Sequence, residues 1–194
     1  RFRTRHMAAR GVTTRFHAPD ATADVIAGMI DERTRVVLIE SPASLTFEMI
    51  DVPALATAAR SRGVVTVMDN TWAAGLAFKP LAHGVDVSLQ ALTKYAGGHS
   101  DLLLGSICAS DPKVSKAIAD TIEDIGLCVS PDDAWLALRG LRTLPLRYAE
   151  QARSALTVAA WLADRPEVAR VLHPALSGDP GHALWSRDYA GAAS

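Results

Sequence analysis

The sequence predicts a layered α/β domain, with a mixed but mostly parallel sheet sandwiched by helices, and three observations carry that prediction. Two apolar runs rich in β-branched residues, Thr34 to Glu40 and Val64 to Asp69, have the length of strands buried on both faces. Between them Val52 to Arg62 reads as a helix closed by Gly63, which makes the unit β-α-β. Finally, 49% of the 194 residues are hydrophobic and 21% charged, a balance that lets the chain bury a real core.

Taken in order, the remaining elements follow the same logic. Parallel strands joined by a helix imply right-handed crossovers. Asp86 to Leu89 and Leu102 to Ile107 read as further short strands, and Lys113 to about Glu123 as a helix. Ser130-Pro131-Asp132-Asp133 is a helix start: Ser caps, Pro takes the first position, and the acids favour the positive end of the helix dipole. Pro145 lacks an N–H, so a break is expected between Thr143 and Pro145, with a second helix from Leu146 to about Ala163. That break is the candidate boundary between a large domain, residues 1–144, and a linking helix plus the start of a small C-terminal α+β domain, residues 145–194. Glu167 to Leu172 is expected to open a strand of the latter. Both ends read as cut, since Arg1 is not an initiator Met and the tail from Asp188 to Ser194 stops with no cap or closing strand.

Several function classes are disfavoured. Twenty basic and 21 acidic side chains are interspersed, giving a net charge of -1 and no stripe that would follow a nucleic-acid backbone. No apolar run approaches the ~20 residues of a bilayer span, and the first ten residues lack the apolar centre of a secretory signal. A cytoplasmic address is the default expectation. Cys108 and Cys128, isolated among apolar neighbours, read as core thiols, and the six histidines form no metal-binding spacing. G-x-S-x-G, P-loop and G-x-G-x-x-G patterns are absent, which argues against a hydrolase or a nucleotide-binding domain.

Chemistry enters with two residues. Asp69 ends a parallel strand at its carboxyl end, where open α/β sheets place ligand-binding groups. Lys94 follows a short strand and precedes a glycine-rich turn. Alone, Asp69 reads as a turn or capping aspartate and Lys94 as a solvated lysine. Together they match what pyridoxal phosphate (PLP) chemistry requires: an amine to bind the cofactor and a carboxylate to keep the pyridine nitrogen protonated.

Glu40-Ser41-Pro42, Asp69-Asn70-Thr71-Trp72, Thr93-Lys94-Tyr95 with Gly98-His99-Ser100-Asp101, and Leu138-Arg139-Gly140-Leu141-Arg142-Thr143-Leu144 occur in that order. In order and spacing they resemble the Cys/Met-metabolism PLP enzymes, over essentially the whole chain. The stretches Glu40 to Glu48, Leu172 to Leu176, Pro180 to His182 and Trp185 to Tyr189 resemble the bacterial cystathionine β-lyase branch.

The resemblance implies a fold-type-I, aminotransferase-like PLP domain and a carbon–sulfur lyase of the trans-sulfuration and methionine-biosynthesis type. The reaction implied is β-elimination of L-cystathionine to homocysteine, pyruvate and ammonia. A γ-synthase or γ-lyase is the alternative within the family, and an inactive interaction module the alternative outside it. Lys94 would hold PLP, release it to the substrate amine and remove the Cα proton; Asp69 would pair with the pyridinium nitrogen; Thr93 would offer its hydroxyl to the phosphate. Relatives form homotetramers, dimers of dimers, whose sites are shared between subunits. Two departures stand out: Ala91 replaces a serine that many relatives use for the phosphate, and Ser44 lies where other branches carry an asparagine contacting the ring hydroxyl. Trp72 and Tyr95 read as packing residues and His99 as a residue orienting the turn. Arg139, Arg142 and Arg147 do not converge on one helix face with Lys94 and read as capping and inter-helix pairing residues. The chain expressed alone is expected to be a poor catalyst, because several expected ring, phosphate and carboxylate contacts are not identifiable in it.

Overall fold

A computed structural model describes residues 2–191; the end of the tail, residues 192–194, lies outside them. The chain opens with a π-helical segment, Phe2–Met7, and a 3-10 turn, Ala8–Arg10, before α1 (Ala23–Gly28). There follow β1 (Val36–Glu40), α2 (Val52–Arg60), β2 (Val65–Asp69), a 3-10 turn (Pro80–His83), β3 (Val87–Ala91) and β4 (Gly105–Ala109). The remainder is helical: α3 (Pro112–Asp124), α4 (Pro131–Leu141), α5 (Leu144–Ala163) and α6 (His182–Asp188). The sheet order is β1-β2-β3-β4, the first three strands parallel and β4 antiparallel.

The β-α-β unit forms as the sequence predicts. Asp51 caps α2 by accepting from Ala54 N–H at 3.0 Å, and Val52, Leu55, Ala56 and Ala59 make one buried stripe at helical spacing. Val52, Leu55 and Ala56 of that stripe join Ile39, Met68, Phe78 and Val85 in the core. Asp86 fixes the start of β3: its carboxylate accepts from both the N–H and the hydroxyl of Thr66, each at 2.8 Å.

Some expectations need correction. β4 begins three residues later than expected, because Leu104 spends its backbone on Thr93 at the end of the neighbouring turn. Glu167 to Leu172 forms no strand; no partner strand reaches it, and α6 is the next regular element. β1 is not covered on both faces, since Val36 and Leu38 are exposed. Cys108 and Cys128 are exposed rather than core. Cys108 sits on the edge strand β4, with little of this chain against either face, and Cys128 lies in the open link between α3 and α4.

The helical half fits better. Ser130 caps α4 by accepting from Asp133 N–H at 3.0 Å while its hydroxyl donates to the Asp133 carboxylate at 2.9 Å. Pro145 sits in the first turn of α5, where its missing N–H costs nothing, so the break falls at Arg142 and Thr143. Leu144 and Tyr148 of α5 nonetheless belong to the main core. Among the described residues, no helix is long and apolar enough to cross a membrane.

Candidate active site

The register of the parallel strands assembles the site. Glu40 pairs with Asp69 across β1 and β2, and Asp69 with Leu89 across β2 and β3, so both acids and the turn carrying Lys94 lie at the carboxyl end of the sheet. Thr71 joins the strand ends. Its N–H and hydroxyl donate to Asp69 Oδ1 at 3.0 and 2.6 Å, and its oxygen accepts from Ala91 N–H at 2.8 Å. Asp69 Oδ2 makes no hydrogen bond among the described residues. Burial, then the charge of Asp69, raises the Glu40 carboxyl above its ordinary pKa.

Lys94 is exposed on a tight turn, with its N–H on Ala91 O at 3.1 Å and its carbonyl accepting from Gly98 N–H at 2.9 Å. Thr93 points back at β4: its oxygen accepts from Leu104 N–H at 3.1 Å and its hydroxyl donates to Leu104 O at 3.3 Å. The donor bond is long for a hydroxyl, so an anionic phosphate can take it over while Leu104 N–H stays in place. His99 Nδ1 lies 2.8 Å from Gly97 O and so braces the turn.

Aromatic side chains support these loops. Trp72 packs edge-on to Phe47, His173 and Tyr189, with centroids 6.0 to 6.4 Å apart, and Tyr95 packs edge-on to Tyr148. Tyr189 donates to Ser41 O at 2.6 Å, and Tyr148 to Trp72 O at 3.2 Å. Burial raises both phenols above their ordinary pKa. Leu45, Phe47, Ala74 and Ser100 adopt positive φ, and all four lie in loops after β1, β2 or β3. Backbone strain of this kind concentrates at functional edges.

Arg147 caps the end of α4 as the sequence reading expects, donating to Gly140 O at 2.8 Å, but the arginines are not confined to the helices. Arg139 pairs with Asp101 at 2.6 Å, and Arg147 donates to the carbonyls of Tyr95 and Ala96 at 2.8 and 3.4 Å, so both reach the lysine turn. They do so because Gly140 lets α4 lie flat on that turn; a Cβ there would run into the Ala96 and Gly97 carbonyls. Thr71, Tyr148 and Tyr189 carry no individual role in the sequence reading. Only Thr71 left a signal, as a hydroxyl two residues after a strand-ending Asp.

Compared with known protein families, the chain matches the Cys/Met metabolism PLP-dependent enzymes over residues 1–194. The chain belongs to that family. Within the family, a cystathionine β-lyase of Bordetella avium is 50% identical over 89% of this chain and 43% of its own length. Cystathionine β-lyase MetC of Escherichia coli is 44% identical over 93% and 46%. The crystal structure of a cystathionine γ-lyase from Lactobacillus plantarum matches with a TM-score of 0.94 at 25% identity, over 99% of this chain and 50% of that one. The chain thus spans about half the length of the curated relatives it matches.

The family's cofactor, PLP, suits what this chain offers. Two carboxylates set side by side by strand register favour a cation, and a protonated pyridine nitrogen is one. Asp69 Oδ2 is an available acceptor for its N–H, and the Lys94 amine stands exposed at the neighbouring strand end.

Proposed function

We propose that the whole protein is a PLP-dependent carbon–sulfur lyase that cleaves L-cystathionine by β-elimination. With one water consumed, the products are homocysteine, pyruvate and ammonia. The observation that carries this reading is the placement of Asp69 and Lys94 at adjacent strand ends in a chain half identical to a cystathionine β-lyase.

When bound, PLP supplies the sink for the electron pair left at the substrate Cα. Asp69 would pair through Oδ2 with the pyridinium nitrogen, while Thr71 keeps the carboxylate from turning. Lys94 would hold the cofactor through its amine, which would also serve as the base at the substrate Cα. Thr93 would offer the phosphate the hydroxyl it now gives to Leu104. Loss of a thiolate is easy chemistry, so the residues chiefly have to stabilise negative charge and place the base.

The proposal extends to a homotetramer with sites shared between subunits, a cytoplasmic address, and a division between residues 1–144 and 145–194. The test is a visible absorption spectrum of the full-length protein and its Lys94→Ala variant after loading with PLP and removing the excess. The wild type is expected to show the band of lysine-bound cofactor and the variant to lack it; a band in both, or in neither, overturns the assignment. With cystathionine as substrate the expected product is pyruvate. The likeness to a γ-lyase structure keeps a second reading, for which 2-oxobutyrate would be the product.

A further inference from the structure

Two consecutive residues of α5 grip the two halves of the site. Arg147 divides its guanidinium between the turn of Lys94 and the end of α4: Nη1 donates to Tyr95 O at 2.8 Å, and Nη2 to Ala96 O at 3.4 Å and Gly140 O at 2.8 Å. Its Nε donates to Thr143 Oγ1 at 3.0 Å. Tyr148 reaches the other way, to the loop after Asp69, with its hydroxyl on Trp72 O and its ring against Tyr95. Gly98 completes the fit, since a Cβ there would collide with the Arg147 guanidinium.

Three carbonyls on one planar fork is an unusual use of an arginine. The charge faces no carboxylate in this contact set, so its partners are backbone dipoles alone, and their directions are fixed by the fork. A turn held this way cannot rotate about the Tyr95 peptide without breaking donors at several points.

We propose that Arg147 is the positioning residue for Lys94, acting with Tyr148 to set the lysine turn against the Asp69 loop. This rests on the reading of Lys94 and Asp69 as cofactor-holding residues. Arg147 touches neither substrate nor cofactor; it decides where the Lys94 amine stands when the Cα proton must be taken. Such misplacement costs turnover far more than substrate binding, because only the reacting geometry suffers.

The test uses the full-length PLP-loaded protein as wild type, Arg147→Lys and Thr143→Val. Lysine keeps the charge but not the fork; valine removes the Nε partner and, with it, the Thr143 hydroxyl's own bond to Gly140 O at 3.3 Å. The readouts are kcat and KM, cofactor content, and the visible circular dichroism of the bound cofactor, which reports its orientation. Arg147→Lys is expected to lose about 100-fold in kcat with KM nearly unchanged, and to alter the visible dichroism at unchanged far-ultraviolet signal. Thr143→Val is expected to move both in the same direction by less, and it decides the matter if Arg147→Lys does not fold. Wild-type kcat and dichroism in the folded variants overturn the proposal. A wild type that binds no cofactor through Lys94 overturns the underlying reading instead, so the two failures are distinguishable.

Discussion

A carboxylate that must face a cationic ring cannot also be free to swing, and Thr71 restrains Asp69 by placing two donors on one of its oxygens. The same hydroxyl oxygen takes Ala91 N–H, so Thr71→Val is expected to release the aspartate and orphan a strand-end amide together. A loss of about 1–3 kcal/mol in urea unfolding, with weaker PLP retention, is the expected result. Asp69→Asn keeps the shape but removes the charge that, in the proposed role, holds the ring proton, so a fall in kcat of the full-length protein on the order of 100-fold or more is expected; steady-state pyruvate release measures it. Tyr189→Phe leaves the buried Ser41 carbonyl without its 2.6 Å donor, which should cost roughly 1–2 kcal/mol in the same unfolding assay. The positions of Asp69 at the end of β2 and of Lys94 on the turn after β3 follow from local sequence, while their pairing around a cofactor is a proposal. Arg147 was not: its contacts with Tyr95 and Ala96 bridge 52 and 51 residues, and helical spacing says nothing about what a helix lies against.

At the scale of elements, α4 is the piece on which the lysine turn rests. Its start was legible in Ser130-Pro131 because caps are local chemistry, and Ser130→Ala is expected to cost about 1 kcal/mol in thermal or urea unfolding. Gly140, inside the helix, reads from sequence only as a weak spot. In the structure it is a contact surface, so Gly140→Ala, favourable in an isolated helix, is expected to destabilise this one by about 1–3 kcal/mol through collision with Ala96 and Gly97. The other misreadings have one cause. The start of β4, the exposed cysteines and the unpaired stretch after α5 all depend on what lies beside a segment, and periodicity reports only whether a segment is apolar. Leu102 to Leu104 is as apolar as the strand that follows, yet Thr93 claims the backbone of Leu104.

For the molecule as a whole, much apolar surface is left uncovered. Leu103, Ile107, Ile125, Leu127, Trp135 and Leu146 are exposed, the first of them 88%. The 194-residue chain by itself is therefore expected to self-associate at rising concentration in sedimentation velocity. Acid stability has a local origin. Arg187, by hydrogen bond and charge, holds the Asp51 carboxyl below its ordinary pKa, against burial. A carboxyl depressed in the folded state adds stability above its unfolded value of about 3.9, and that stability is lost as pH falls through the lower folded value. Both partners are partly solvated, with side chains 49% and 29% exposed, so the effect stays under about 1 kcal/mol. Arg187→Ala should lower the melting temperature at pH 6 and close the gap to wild type near pH 3.

The hydrogen bond from Tyr189 to Ser41 spans 148 residues. At about 5–20 residues per second, a ribosome needs about 7–30 seconds to add that distance. Until Tyr189 is added, the loop following Glu40 lacks this lock, so the rim of the site is made well before its latch.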